Sequence, residues 1–167
     1  MNDSFIRTRV ANGVGEVQLD RAVALNALDR SMIRDMYAPL EAWRDDPEIT
    51  AVLVTSLSER AFCAGGDIKP VREAAVQGDA DTVRGYFSDE YRLDRLVATY
   101  PKPYLALLDG VTMGGGLGIS VHGAVRIATE KSTFAMPETA IGFIPDVGSS
   151  HFLPRLRGTT ARCDAVG

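Results

Sequence analysis

The chain has 167 residues, 46% hydrophobic and 24% charged, with a formal net charge of −4. That length suits one domain with a sizeable core, and the composition is that of an ordinary globular protein. The acidic balance and the lack of a basic patch exclude a nucleic-acid surface, and no apolar run approaches the ~18 residues of a membrane span.

Residues 5–10 and 15–19 alternate as strands do, and Asn12-Gly13 between them marks a hairpin turn. Asp29 is placed to cap a helix whose apolar positions are Met32, Ile33, Met36, Leu40 and Trp43. Asp45-Asp46-Pro47 stops that helix. Residues 51–55 (Ala-Val-Leu-Val-Thr) are expected to form a fully buried strand, followed directly by a glycine loop around Gly65. The pattern over 70–98 is helical, with a break near Gly78.

Residues 104–108 form a second apolar run, again followed by a glycine loop and then by a helix pattern from about Gly114. Short strands are expected at 124–128 and 133–135, a loop over 138–150, and a new helix near Ser149. Strand, glycine loop and helix thus recur twice, which predicts an α/β fold with βαβ crossovers. Residues 1–158 are read as one core and 159–167 as an irregular tail, and the chain is expected to be cut short at its C-terminal side.

Cys63 and Cys163 stand far apart and fit no metal pattern, so neither a metal site nor a structural disulfide is expected. Met1–Ser4 lacks the features of a secretory signal, which makes the cytoplasm the expected location. His122 and His151 have no neighbouring ligand pattern and are read as structural. Cys63 is read as a small buried residue.

The chemistry concentrates in two glycine clusters and two carboxylates. Gly65-Gly66 and Gly114-Gly115-Gly116 fit no nucleotide pattern: no Gly-Lys-Ser/Thr is present, and Ile119 stands where a dinucleotide fingerprint needs its third glycine. His122 likewise removes the glycine that a serine-hydrolase elbow around Ser120 requires. Two separated glycine amides can hold one developing oxyanion. Tight turns and close helix packing remain the alternative for glycines taken alone. Glu138 and Asp146 lie among apolar neighbours, where burial would raise the proton affinity of a carboxylate and suit it to acid–base work. Glu90, beside Asp89 and Arg92 in a helix pattern, reads by itself as a solvated charge.

With Ala64-Gly65-Gly66-Asp67 upstream of the triple glycine, the chain resembles the crotonase (enoyl-CoA hydratase/isomerase) superfamily. Two longer runs, 112–123 (Thr-Met-Gly-Gly-Gly-Leu-Gly-Ile-Ser-Val-His-Gly) and 134–148 (Phe-Ala-Met-Pro-Glu-Thr-Ala-Ile-Gly-Phe-Ile-Pro-Asp-Val-Gly), are most similar to its 3-hydroxyisobutyryl-CoA hydrolase subgroup. The similarity spans about 7–158.

The resemblance implies a spiral of ββα units that binds acyl-CoA, with coenzyme A as part of the substrate and no metal or other cofactor. It implies an oxyanion hole from the Gly66 and Gly115 amides, with Glu138 and Asp146 catalytic. Glu90, Gly115, Glu138 and Asp146 would contact substrate, and Ala24, Leu25, Ala64, Gly66, Asp67, Ile68 and Lys69 would line the CoA site. Hydratases of the superfamily carry a second glutamate two residues after the triple glycine, where this chain has Gly118. The implied activity is therefore hydrolysis of 3-hydroxyisobutyryl-CoA to 3-hydroxyisobutyrate and CoA, in valine catabolism. A hydratase or isomerase working with Glu138 alone, and an inactive fragment with a binding role, remain the alternatives. The partner implied is a small acyl-CoA, with no nucleic acid and no membrane, and with a homo-oligomer as a possibility.

Overall fold

The computed structural model describes residues 4–156. β1 (Ile6–Ala11) and β2 (Val14–Leu19) form the expected hairpin, paired from Ile6↔Leu19 to Ala11↔Val14. Its turn places Asn12 at φ 51° and Gly13 at φ 76°. Both positions need positive φ, which Asn and Gly tolerate and which matches the twist of the strands. A 3₁₀ turn (Ala22–Ala24) leads to α1 (Arg30–Arg44). Asp29 accepts a hydrogen bond from the Met32 amide at 2.9 Å, satisfying one otherwise orphaned donor of the first turn.

Three further turns of the chain follow one plan. β3 (Ala51–Ser56) and β4 (Ala61–Cys63) precede α2 (Ile68–Val76) and α3 (Ala80–Ala98). β5 (Tyr104–Leu108) and β6 (Val111–Met113) precede α4 (Gly115–Val121). β7 (Val125–Ala128) and β8 (Thr133–Ala135) precede a 3₁₀ turn (Glu138–Ile141) and the short α5 (Ser149–Phe152). The first strand of each pair joins a sheet of order β1-β2-β3-β5-β7, and the second joins a sheet of order β4-β6-β8. Apart from the β1–β2 hairpin, all pairings within these sheets are parallel. Repeating this plan winds the chain into a spiral of ββα units, in agreement with the expected fold class.

The core lies between the larger sheet and α1 and α3. Val17, Leu19, Val52, Val54, Tyr104 and Ala106 pack in one cluster with Met32, Ile33, Met36, Leu40, Leu93 and Val97. Two expectations are corrected. In β3 only Val52 and Val54 are fully buried and the other residues are partly covered, so this continuous apolar run packs mainly on one face. Neither glycine loop follows its buried strand directly, because β4 and β6 intervene. At three residues each they are too short to display a period. The expected tail, residues 159–167, and Cys163 lie outside the described residues.

Candidate active site

The two glycine pairs meet because of strand pairing. β4 runs into Gly65-Gly66 and β6 into Gly114-Gly115, and the strands pair in parallel through Ala61↔Val111 and Cys63↔Thr112. Both loops therefore leave the same end of the small sheet, side by side. A Cβ on Gly115 would lie 3.3 Å from the Gly66 amide nitrogen, so side chains here would close the space between the segments. Among the described residues, the Gly66 amide donates to no backbone carbonyl. The Gly115 amide opens α4 and so has no acceptor within the helix.

β8 pairs with β6 through Met113↔Ala135 and carries the chain directly to Pro137 and Glu138. Glu138 is buried, and one of its carboxyl oxygens, Oε2, has no hydrogen-bond partner among the described residues. Burial, and then the charge of Asp146, raise its pKa above the ordinary carboxylate value. Asp146 is half-buried, and its Oδ2 accepts a hydrogen bond from the Tyr91 hydroxyl at 2.6 Å.

Glu90 departs most from its own local signal. It is 4% exposed rather than solvated. Burial, followed by the charges of Asp94, Asp146 and Glu138, pushes its pKa to about 8. A carboxyl that keeps its proton in this way can donate a hydrogen bond as well as accept one.

One cavity of about 190 Å³ gathers Ala64, Gly66, Ile68, Glu90, Gly115, Glu138 and Asp146, seven of the expected site residues. Its apolar wall includes Phe87 and Phe143, which stack with ring centroids 5.5 Å apart. A wider, more open hollow of about 450 Å³ lies on the other side of Asp146, between α3 and the end of α4.

The remaining expected residues do not line the cavity. Leu25 sits just outside it and accepts the Ala64 amide through its carbonyl at 3.0 Å. Ala24 closes the 3₁₀ turn before it. Asp67 is paired with Arg21, Oδ2 to Nη1 at 2.9 Å. Lys69 is exposed in the first turn of α2. These four share the rim at which the 21–29 loop meets β4 and α2.

Several residues that organise the site carry little signal in the sequence. Asn26 is fully buried: its Oδ1 accepts the Arg21 amide at 2.7 Å, while Nδ2 donates to Ser56 Oγ at 2.7 Å and to the Phe62 carbonyl at 2.9 Å. It ties the loop carrying Leu25 to β4. Tyr91 and Asp94 are likewise set by tertiary packing. Glu90 and Asp94 fall at i and i+4 on the stripe that also carries Tyr86, Leu93 and Val97, so acids at apolar helical positions were the available clue. His122 is structural, as expected: its Nε2 lies 2.8 Å from the Val147 carbonyl, and its ring meets Phe152 edge-on. Cys63 is buried, also as expected.

A family model described as enoyl-CoA hydratase/isomerase matches residues 14–166. The mitochondrial 3-hydroxyisobutyryl-CoA hydrolase of Gallus gallus is 53% identical over 146 residues, which are 87% of this chain and 38% of that protein. The chain thus spans well under half the length of the curated relatives it matches. Among solved structures, an enoyl-CoA hydratase from Rhodobacter sphaeroides superposes with a TM-score of 0.89 at 41% identity, covering 93% of this chain and 46% of that one. A carnitinyl-CoA dehydratase from Mycobacterium thermoresistibile gives 0.88 at 42% identity, with the same coverage. The cytoplasmic expectation is overturned, because the vertebrate relatives are named as mitochondrial. It had rested on an N-terminus without a secretory pattern, on the lack of a membrane span and on two cysteines with no disulfide pattern, none of which speaks to other destinations.

Proposed function

The chain belongs to the enoyl-CoA hydratase/isomerase family, and we propose that its site hydrolyses an acyl-CoA thioester, with 3-hydroxyisobutyryl-CoA as the substrate. One observation carries the reading: the buried carboxyl of Glu138 opens on the same cavity as the Gly66 and Gly115 amides. Those donors suit the oxygen of a thioester carbonyl, and the carboxyl is placed to act on its carbon. Relatives about 50% identical carry the hydrolase name, and Gly118 leaves the hydratase pattern without its second glutamate.

In the proposed reaction the carbonyl oxygen sits between the Gly66 and Gly115 amides, which stabilise the charge developing on it. Glu138 forms a bond to the carbonyl carbon as the carbon–sulfur bond breaks, or it takes a proton from a water that does so. By the first route, water then cleaves the mixed anhydride. By either route one water is consumed, and CoA leaves as a thiol after taking up a proton. Asp146, oriented by Tyr91, positions the water or the substrate hydroxyl. Glu90 donates a hydrogen bond to the acyl group, and the rim formed by Ala24, Leu25, Asp67 and Lys69 holds the CoA portion.

A second reading is hydration or isomerisation of an enoyl-CoA by Glu138 alone; one superposed structure carries the name enoyl-CoA hydratase. The test incubates the chain with 3-hydroxyisobutyryl-CoA and, separately, with crotonyl-CoA. Free thiol is followed together with absorbance of the crotonyl double bond. Thiol from the first substrate alone supports hydrolysis. Loss of the crotonyl absorbance without thiol favours the second reading, and no change in either leaves the chain a binding module.

A further inference from the structure

α3 and α4 pack closely because two acids on one helix meet two glycines on the other. A Cβ on Gly115 would lie 2.5 Å from Glu90 Oε1, and a Cβ on Gly118 would lie 2.6 Å from Asp94 Oδ1. Successive turns of α3 thus place one carboxyl beside the amide pair and a second carboxyl deeper, where any side chain at position 118 would collide with it. Asp94 is 7% exposed, and neither of its oxygens has a hydrogen-bond partner among the described residues. An orphaned buried acid is costly, so its retention needs a reason.

Its surroundings supply that reason. Asp94 faces Asp146 across the wider hollow, which is also lined by Tyr91 and Arg95 of its own helix and by His122 at the end of α4. Tyr104 of β5 lies behind it and donates its hydroxyl proton to the Ile119 carbonyl. Glu90, one turn away on α3, lines the acyl cavity with Glu138 and Asp146. Asp94 is therefore the one carboxyl of this group that lies behind the site without lining the acyl cavity.

We propose that Asp94 is a positioning residue of the acyl-CoA site: it uses the room left by Gly118 to keep Glu90 protonated beside the Gly66 and Gly115 amides. This rests on the hydrolase reading given above. A charge on Asp94 opposes a second charge on Glu90, so the last proton of the pair is held to higher pH than Glu90 would hold it alone. Burial pushes Asp94 itself to about 8, and the charge of Asp94 is the first of the neighbouring charges that raise Glu90. An ionised Glu90 would set a negative charge next to the donors meant for an oxyanion and slow the reaction.

The test compares the wild-type chain with Asp94→Asn, Asp94→Ala, Glu90→Gln and the Glu90→Gln/Asp94→Asn double variant. The first readout is the pH profile of kcat/KM for thiol release from 3-hydroxyisobutyryl-CoA. Its alkaline limb should move to lower pH by about one unit in Asp94→Asn and disappear in Glu90→Gln. The second readout is Tm without substrate, at pH 5 and pH 8. Both acids have raised folded-state pKa values, so their contribution to stability falls as pH climbs from the ordinary carboxylate range towards 8. Asp94→Asn should therefore raise Tm, more at pH 8 than at pH 5, and its gain should shrink when Glu90 is already Gln.

An unmoved alkaline limb, or additive Tm gains, overturns the proposal. So does a fall in Tm at both pH values in Asp94→Asn and Asp94→Ala alike, which would make the residue structural. If the wild-type chain releases no thiol, the hydrolase reading fails separately, and the Tm cycle alone decides whether Asp94 and Glu90 are coupled.

Discussion

The hydroxyl of Tyr91 donates to Oδ2 of Asp146 at 2.6 Å, joining α3 to the loop ahead of α5. Tyr91 is 42% exposed, so the bond contributes little to stability but fixes which way the carboxylate points. Tyr91→Phe should lower kcat by about tenfold or less, since it removes orientation rather than a reacting group. Its Tm should stay within about 2 °C of wild type, as expected for a change near the surface. Steady-state kinetics and a thermal melt check both statements.

Glu138→Gln keeps the size of the side chain and removes its charge. Turnover should fall at least ~10²–10³-fold, the scale on which a single oxyanion donor counts, while acyl-CoA binding survives. Single-turnover thiol release paired with calorimetric titration separates the two. Normal turnover in this variant would remove Glu138 from the mechanism.

Gly114 has φ 46° and ψ −119°, and a Cβ there would lie 2.7 Å from Glu138 Oε1. Gly114→Ala therefore strains the backbone and pushes the carboxyl out of place. A loss of activity of about 10²-fold is expected, accompanied by a lower Tm. Both are measured on the purified variant.

The acid limb of the pH profile follows from Glu138. It must be ionised to attack or to take a proton, and burial raises its pKa. Activity should rise with pH through a midpoint above the ordinary carboxylate range, and that limb should vanish in Glu138→Gln. A midpoint at the ordinary value would mean that Glu138 is solvated in the working protein.

Asn26 contributes three strong side-chain hydrogen bonds from a fully buried position. Asn26→Ala leaves those partners unpaired and should cost about 2–4 kcal/mol, read from a urea transition. The CoA rim should loosen with it, raising KM more than it lowers kcat.

Much of the fold was legible in the sequence because its cues were local. Asn12-Gly13 specified the hairpin, Asp29 the start of α1, and Gly78 the break between α2 and α3. β4 and β6 were missed because three residues cannot show alternation. Glu90 illustrates the other difficulty. Its neighbours Asp89 and Arg92 suggested a solvated face, yet the helix turns it inward onto Gly115. Charge in the immediate sequence reports composition, and which face is buried depends on what packs against it.

The sequence by itself determined the kinds of chemistry present: two glycine clusters with free amides, and carboxylates set among apolar residues. It also determined the recurrence of strand, glycine loop and helix, since those signals act over a few residues, while the second strand of each ββα unit was too short to show. Only the tertiary structure decided that β4 pairs with β6 in parallel, bringing Gly66 and Gly115 together across 49 positions of chain. Only it decided that Asp94, unremarkable in the sequence, stands buried against Gly118. Pairing register and helix packing are settled by the sum of contacts over the whole core, and no single segment carries that sum.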